Sequence, residues 1–160
     1  MKQKTLSILL KAVIIGVALC LALVYIWLVP DFGGSLAEAG DGEFRYMFTP
    51  WLMIVELTAL PILIALVLAW MIAENIGRDR SFTQQNAKLL AVIAVLAAVD
   101  AGYFLIANVV MMLLNMSHPG MLILSLIACF VGACVCVAAG VLSHLVLKAA
   151  RLQEQSDLTI

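Results

Sequence analysis

The sequence predicts an all-α fold, an integral membrane four-helix bundle with both termini on the cytoplasmic side. Three observations predict it. Four apolar runs, at 6–29, 51–72, 89–114 and 121–147, are separated by short polar stretches, and each reaches the ~20 residues that carry a helix across ~30 Å of hydrocarbon. Hydrophobic residues make up 65% of the chain and charged ones only 12%, whereas apolar residues are about half of a water-soluble fold. The basic residues are sorted by side. Lys2, Lys4 and Lys11 precede or enter the first run, Arg78, Arg80 and Lys88 lie between the second and third, Lys148 and Arg151 follow the fourth, and only Arg45 falls opposite. That asymmetry is expected to put the termini and the middle connection on the cytoplasmic side of the membrane.

Each run is continuously apolar and rich in Leu and Ala, without the polar–apolar alternation of a membrane strand. The first could be read as a signal peptide, with Ala37-Glu38-Ala39 as a small-residue cleavage pattern, but it is longer than a usual signal core and is expected to be retained as an anchor. It carries Ala12, Gly16 and Cys20 at four-residue spacing. The connection 30–50 then faces outward with Asp31, Glu38, Asp41 and Glu43, flanked by Tyr25, Trp27, Tyr46 and Trp51 as interfacial aromatics. The second run contains Glu56 and Pro61, and Pro61 cannot donate to the Leu57 carbonyl.

In the cytoplasmic connection 73–88, Gly77 can end a helix, Thr83 can N-cap the next, and Phe82 is placed to act as a hydrophobic staple. The third run holds Asp100 and Asn108. His118-Pro119 reads as a turn. The fourth run carries Ala128, Gly132, Cys136, Gly140 and His144 at four-residue spacing, a stripe that lets another helix approach closely. Its expected partner is the first run, with a homodimer seam as the alternative. In the tail 148–160, Lys148 to Gln155 can extend the last helix, and 156–160 then ends the chain with exposed Leu158 and Ile160.

The chemistry-bearing residues exclude more than they assign. Cys20, Cys129, Cys134 and Cys136 all fall within spans, which argues against a disulfide framework, and the i, i+2 pair Cys134 and Cys136 points to different helix faces, so no metal is expected. No nucleophile–base arrangement, phosphate loop or ligand cluster stands in a water-accessible segment, so neither an enzyme nor a cofactor is expected. Direct nucleic-acid binding is not expected either, for want of a Lys/Arg patch. Glu56 and Asp100 are the residues that do not belong in lipid, since an ionised carboxylate there costs about 2.5–3.5 kcal/mol on insertion scales. One reading makes them a protonatable or cation-binding site. Another makes them interhelical glue bonded to Asn108, Thr58 or the carbonyl released by Pro61, and a third opens Glu56 to a water-filled cavity.

Two segments carry a family resemblance. The Gly, Phe, Thr, Asn and Leu pattern from Gly77 to Leu90, followed at the end by Leu152-Gln153-Glu154-Gln155-Ser156-Asp157-Leu158-Thr159-Ile160, resembles the bacterial membrane proteins catalogued as domain of unknown function 2975. The chain departs from that pattern at Ser81, where members commonly carry Pro, and at Gln155, where a second acid is frequent. The resemblance implies no established activity. Genes of the family often neighbour one for a small helix-turn-helix regulator, which implies a membrane protein that holds or antagonises such a regulator. Contact residues would be Arg78, Arg80, Phe82, Gln85 and Asn86 with Leu152, Asp157, Leu158 and Ile160 of the tail. The competing expectation, a small proton-coupled transporter or efflux subunit, makes Glu56 or Asp100 indispensable instead.

Overall fold

A computed structural model describes residues 3–38, 45–117 and 119–157, and these are helical throughout apart from the turns. Helix α1 (Gln3–Leu23) passes through one π-helical turn (Val24–Leu28) into α2 (Val29–Glu38); α3 (Arg45–Gly77), α4 (Gln84–Leu113) and α5 (Pro119–Asp157) follow. Four continuous helices, Gln3–Ser35, Arg45–Gly77, Gln84–Leu113 and Gly120–Ser156, are long and apolar enough to cross a membrane.

The helices extend well past the apolar runs. The 33 residues of α3 make a rod of roughly 50 Å at ~1.5 Å per residue. The connection expected over 30–50 is therefore largely two helix ends, and Asp41 and Glu43 fall outside the described residues. Pro30 explains why a loop is the natural expectation there, because it has no N–H to donate and its ring crowds the carbonyl four residues back. The π turn just before it, closed by the Val29 N–H on the Val24 carbonyl, widens the helix at that point. Helix α2 then folds onto the start of α3 at Gly33, where a Cβ would stand 2.6 Å from the Trp51 ring and 2.9 Å from that of Phe48.

Packing follows chain order: α1 lies on α3, α3 on α4, and α4 most extensively on α5, while α1 and α5 share no extensive contact. The α4–α5 seam is made of small residues. A Cβ on Gly132 would stand 3.0 Å from that of Ala101, Gly140 faces Ala94 at 3.9 Å, and the Ser143 hydroxyl donates to the Ala87 carbonyl at 2.7 Å. Ala87, Ala94 and Ala101 recur every seven residues, and their partners run backwards along α5, as antiparallel helices require.

The expected contact between the first and fourth runs is thereby corrected. The stripe of Gly132 and Gly140 is taken by α4. Ala12, Gly16 and Cys20 are exposed, and nothing lies within 4 Å of the position a Gly16 Cβ would occupy. Helix α1 instead buries Ser7 and Ile14. Positions two apart on a helix are ~200° apart, so a face centred on Ile14 turns Ala12 and Gly16 away from α3.

Candidate functional site

The most heavily constructed polar region is the end of the bundle that carries the α3–α4 connection. Helix α3 closes with the Arg80 N–H on the Asn75 carbonyl at 2.9 Å and the Asp79 N–H on the Ile76 carbonyl at 3.1 Å, with Asp79 left-handed at φ 60. This is a Schellman closure, and its left-handed position is filled by Asp79 rather than by Gly77. Gly77 serves close approach: a Cβ there would meet the Ser7 Oγ at 2.8 Å, and that hydroxyl donates to the Ala73 carbonyl at 2.6 Å. Helix α4 opens with Thr83 accepting from the Asn86 N–H at 3.2 Å, the N-cap expected from the sequence.

Asn86 holds the turn together. Only 1% exposed, it donates from Nδ2 to the carbonyls of Arg80 at 2.9 Å and Ser81 at 3.0 Å, and its Oδ1 accepts from Asn75 Nδ2 at 2.7 Å. One side chain thus satisfies two loop carbonyls and ties the end of α3 to the start of α4. This corrects the expectation that Asn86 meets a partner, because a side chain so buried has no surface to offer. Phe82 differs. At 56% exposed it presents much of its ring outward.

Two further segments converge on this turn. Gln84 Nε2 donates to the Glu154 carboxylate at 3.1 and 3.3 Å, and Ser81 Oγ donates to Gln3 Oε1 at 3.4 Å. A cavity of about 490 Å³ lies among the connection (Asp79 to Gln84), Gln3 of α1, and Ala150, Gln153 and Glu154 of α5. Arg78, Arg80, Gln85 and Leu152 are exposed around it, with Arg78 paired to Glu74 at 2.6 Å. Leu158, Ile160 and the Asp157 side chain lie outside the described residues, as does His118. Asn75, Gln84 and Glu154 were not legible as site residues, since lone amides and acids on polar helix ends resemble any solvated face.

The intramembrane candidates sit at another level. Asn108, 2% exposed, donates to the Phe104 carbonyl at 2.8 Å within its own helix. Thr58 bonds Tyr25 Oη and the Val55 carbonyl, both at 2.6 Å. Neither residue bonds Glu56 or Asp100 among the described residues, so the glue expected of them is not made. Tyr25 lies within electrostatic range of both acids. The Oδ1 of Asp100 is buried and has no hydrogen-bond partner among the described residues.

Long apolar helices in an antiparallel row, with polar construction confined mainly to one end, define a multi-pass membrane protein. The chain belongs to the family described as "Protein of unknown function (DUF2975)", whose model matches residues 32–160, a stretch that includes the braced turn and the whole of α5. No curated protein and no solved structure matches it.

Proposed function

We propose that this protein is a non-enzymatic interaction protein of the bacterial inner membrane, and that the braced end faces the cytoplasm and holds a small helix-turn-helix regulator. The observation that carries the reading is the Asn86 brace. A buried side chain fixes a turn whose outward side chains, Arg78, Arg80 and Phe82, remain exposed, and Leu152 on α5 is exposed as well. A rigid turn loses little conformational freedom on binding, and exposed aromatic and Arg side chains are the types most used as interface anchors. The charge asymmetry supports the orientation, with eight basic residues at or near this end and Arg45 at the other.

A crosslinking pull-down from native membranes tests the reading by comparing the intact chain with one truncated before Leu152. Capture of a small DNA-binding protein by the intact chain alone is the expected result. Capture of nothing specific by either sinks the reading. It would bring forward the second one, a proton-coupled transporter, which the buried Asp100 Oδ1, without a hydrogen-bond partner among the described residues, favours and which Glu56→Gln and Asp100→Asn transport assays would test.

A further inference from the structure

Lys11 is the one Lys or Arg set inside an apolar run, and its surroundings suit a ligand. Its ammonium lies 4.9 Å from the centre of the Trp70 ring, on the joint between α1 and α3. One turn nearer the braced end, Ser7 meets the Ala73 carbonyl, which fixes the level of the pair at the boundary where the apolar runs give way to polar residues. No carboxylate pairs with Lys11 among the described residues. The acid one turn along from Trp70, Glu74, is already taken by Arg78 at 2.6 Å.

The geometry fits a cation aimed at headgroups. Side chains on a helix lean toward its N-terminus, which for α1 is the braced end, so the Lys11 stem climbs from hydrocarbon toward the nearer membrane surface. Lys4 stands seven residues earlier, exposed and on the same face of α1, about 10 Å further out at ~1.5 Å per residue. In the other direction the joint is flanked by Ile15, Val67 and Leu63, all exposed. Cation and indole at the boundary, with apolar surface running inward, match the phosphate, glycerol and acyl chains of a phospholipid in that order.

We infer that the α1–α3 joint binds an anionic glycerophospholipid, with its phosphate at Lys11 and its chains along Ile15, Val67 and Leu63. The requirement for negative charge follows from Lys11 having no counter-ion among the described residues; a zwitterionic lipid brings its own cation to the same place. One such Lys contributes about fivefold in preference for anionic over zwitterionic lipid. This inference concerns a different face from the proposed regulator contact and stands without it.

The test uses the full chain with Trp27→Phe and Trp51→Phe, which leaves Trp70 as the only tryptophan of three. It is reconstituted in phosphatidylcholine vesicles containing either phosphatidylglycerol or phosphatidylcholine with brominated chains, at equal mole fraction. Brominated phosphatidylglycerol is expected to quench Trp70 with about fivefold the apparent association of brominated phosphatidylcholine. Lys11→Arg keeps the preference and Lys11→Gln brings it close to one. Equal quenching by both lipids, or a preference that Lys11→Gln leaves intact, overturns the inference. Displacement of the lipid by millimolar inorganic phosphate overturns it too, by assigning the site to the free anion. Should the tryptophan changes prevent folding, mass spectrometry of the chain with all its tryptophans reads the same result. Phosphatidylglycerol retained through detergent exchange should fall in Lys11→Gln and hold in Lys11→Arg, and equal retention in both overturns the inference.

Discussion

Replacing Asn86 with Ala should open the α3–α4 turn while leaving the rest of the bundle in place. The substitution removes the bonds to the Arg80 carbonyl, the Ser81 carbonyl and Asn75 Nδ2. At about 1 kcal/mol net for each, the loss is ~3 kcal/mol. Alanine's better helix propensity returns roughly 0.6 kcal/mol, so the turn is destabilised by about 2 kcal/mol. Hydrogen exchange in detergent micelles reads this directly. The amides of Asp79, Arg80 and Ala87, all hydrogen-bonded in the turn, should exchange roughly thirtyfold faster. Those of Asn115 and Met116, which close the opposite end of α4 by a second Schellman arrangement, should not change. Asn86→Asp sharpens the test because it keeps an acceptor for Asn75 but sets oxygen against the carbonyls of Arg80 and Ser81; it should open the turn at least as far as Ala. Unchanged exchange in both variants would refute the claim that Asn86 braces the turn.

Five other substitutions probe the packing and the membrane interior. Gly132→Leu, which must displace Ala101, should cost about 1–3 kcal/mol in thermal unfolding followed by circular dichroism, whereas Gly16→Leu should stay within about 0.5 kcal/mol. A large effect at Gly16 would show its stripe to be an interface, as in a homodimer. Gly77→Ala should destabilise by about 1 kcal/mol through the Ser7 hydroxyl, and Ser7→Ala should recover part of that loss in a double-mutant cycle. Asp100→Asn should raise stability by about 1 kcal/mol, because it removes an ionisable group whose buried Oδ1 has no hydrogen-bond partner among the described residues. A drop in stability would reveal a partner.

Much of this architecture was legible in the sequence because lipid leaves few alternatives to a helix: four apolar runs became four long helices, and Thr83 became an N-cap. What stayed hidden depended on distance along the chain. The stripe of Gly132 and Gly140 announces close packing but not with whom, and the answer lies in Ala87, Ala94 and Ala101, which look like ordinary span residues. The run through Pro30 was hidden because a single π turn reverses the usual reading of proline. Asn86 was noticed, but exposure could not be inferred. An amide near a helix start reads equally as a contact residue or a brace, and only its burial separates them.

The central claim is that the braced end presents a partner-binding surface, and site-specific photo-crosslinking in living cells tests it most directly. A photoreactive residue would replace Phe82, Leu152 or Leu124, the last an exposed apolar position near the opposite end of α5. The account predicts that positions 82 and 152 crosslink the same small DNA-binding protein and that position 124 does not. Crosslinking only to lipid from all three positions, or to the same proteins from 124 as from 82, would contradict it.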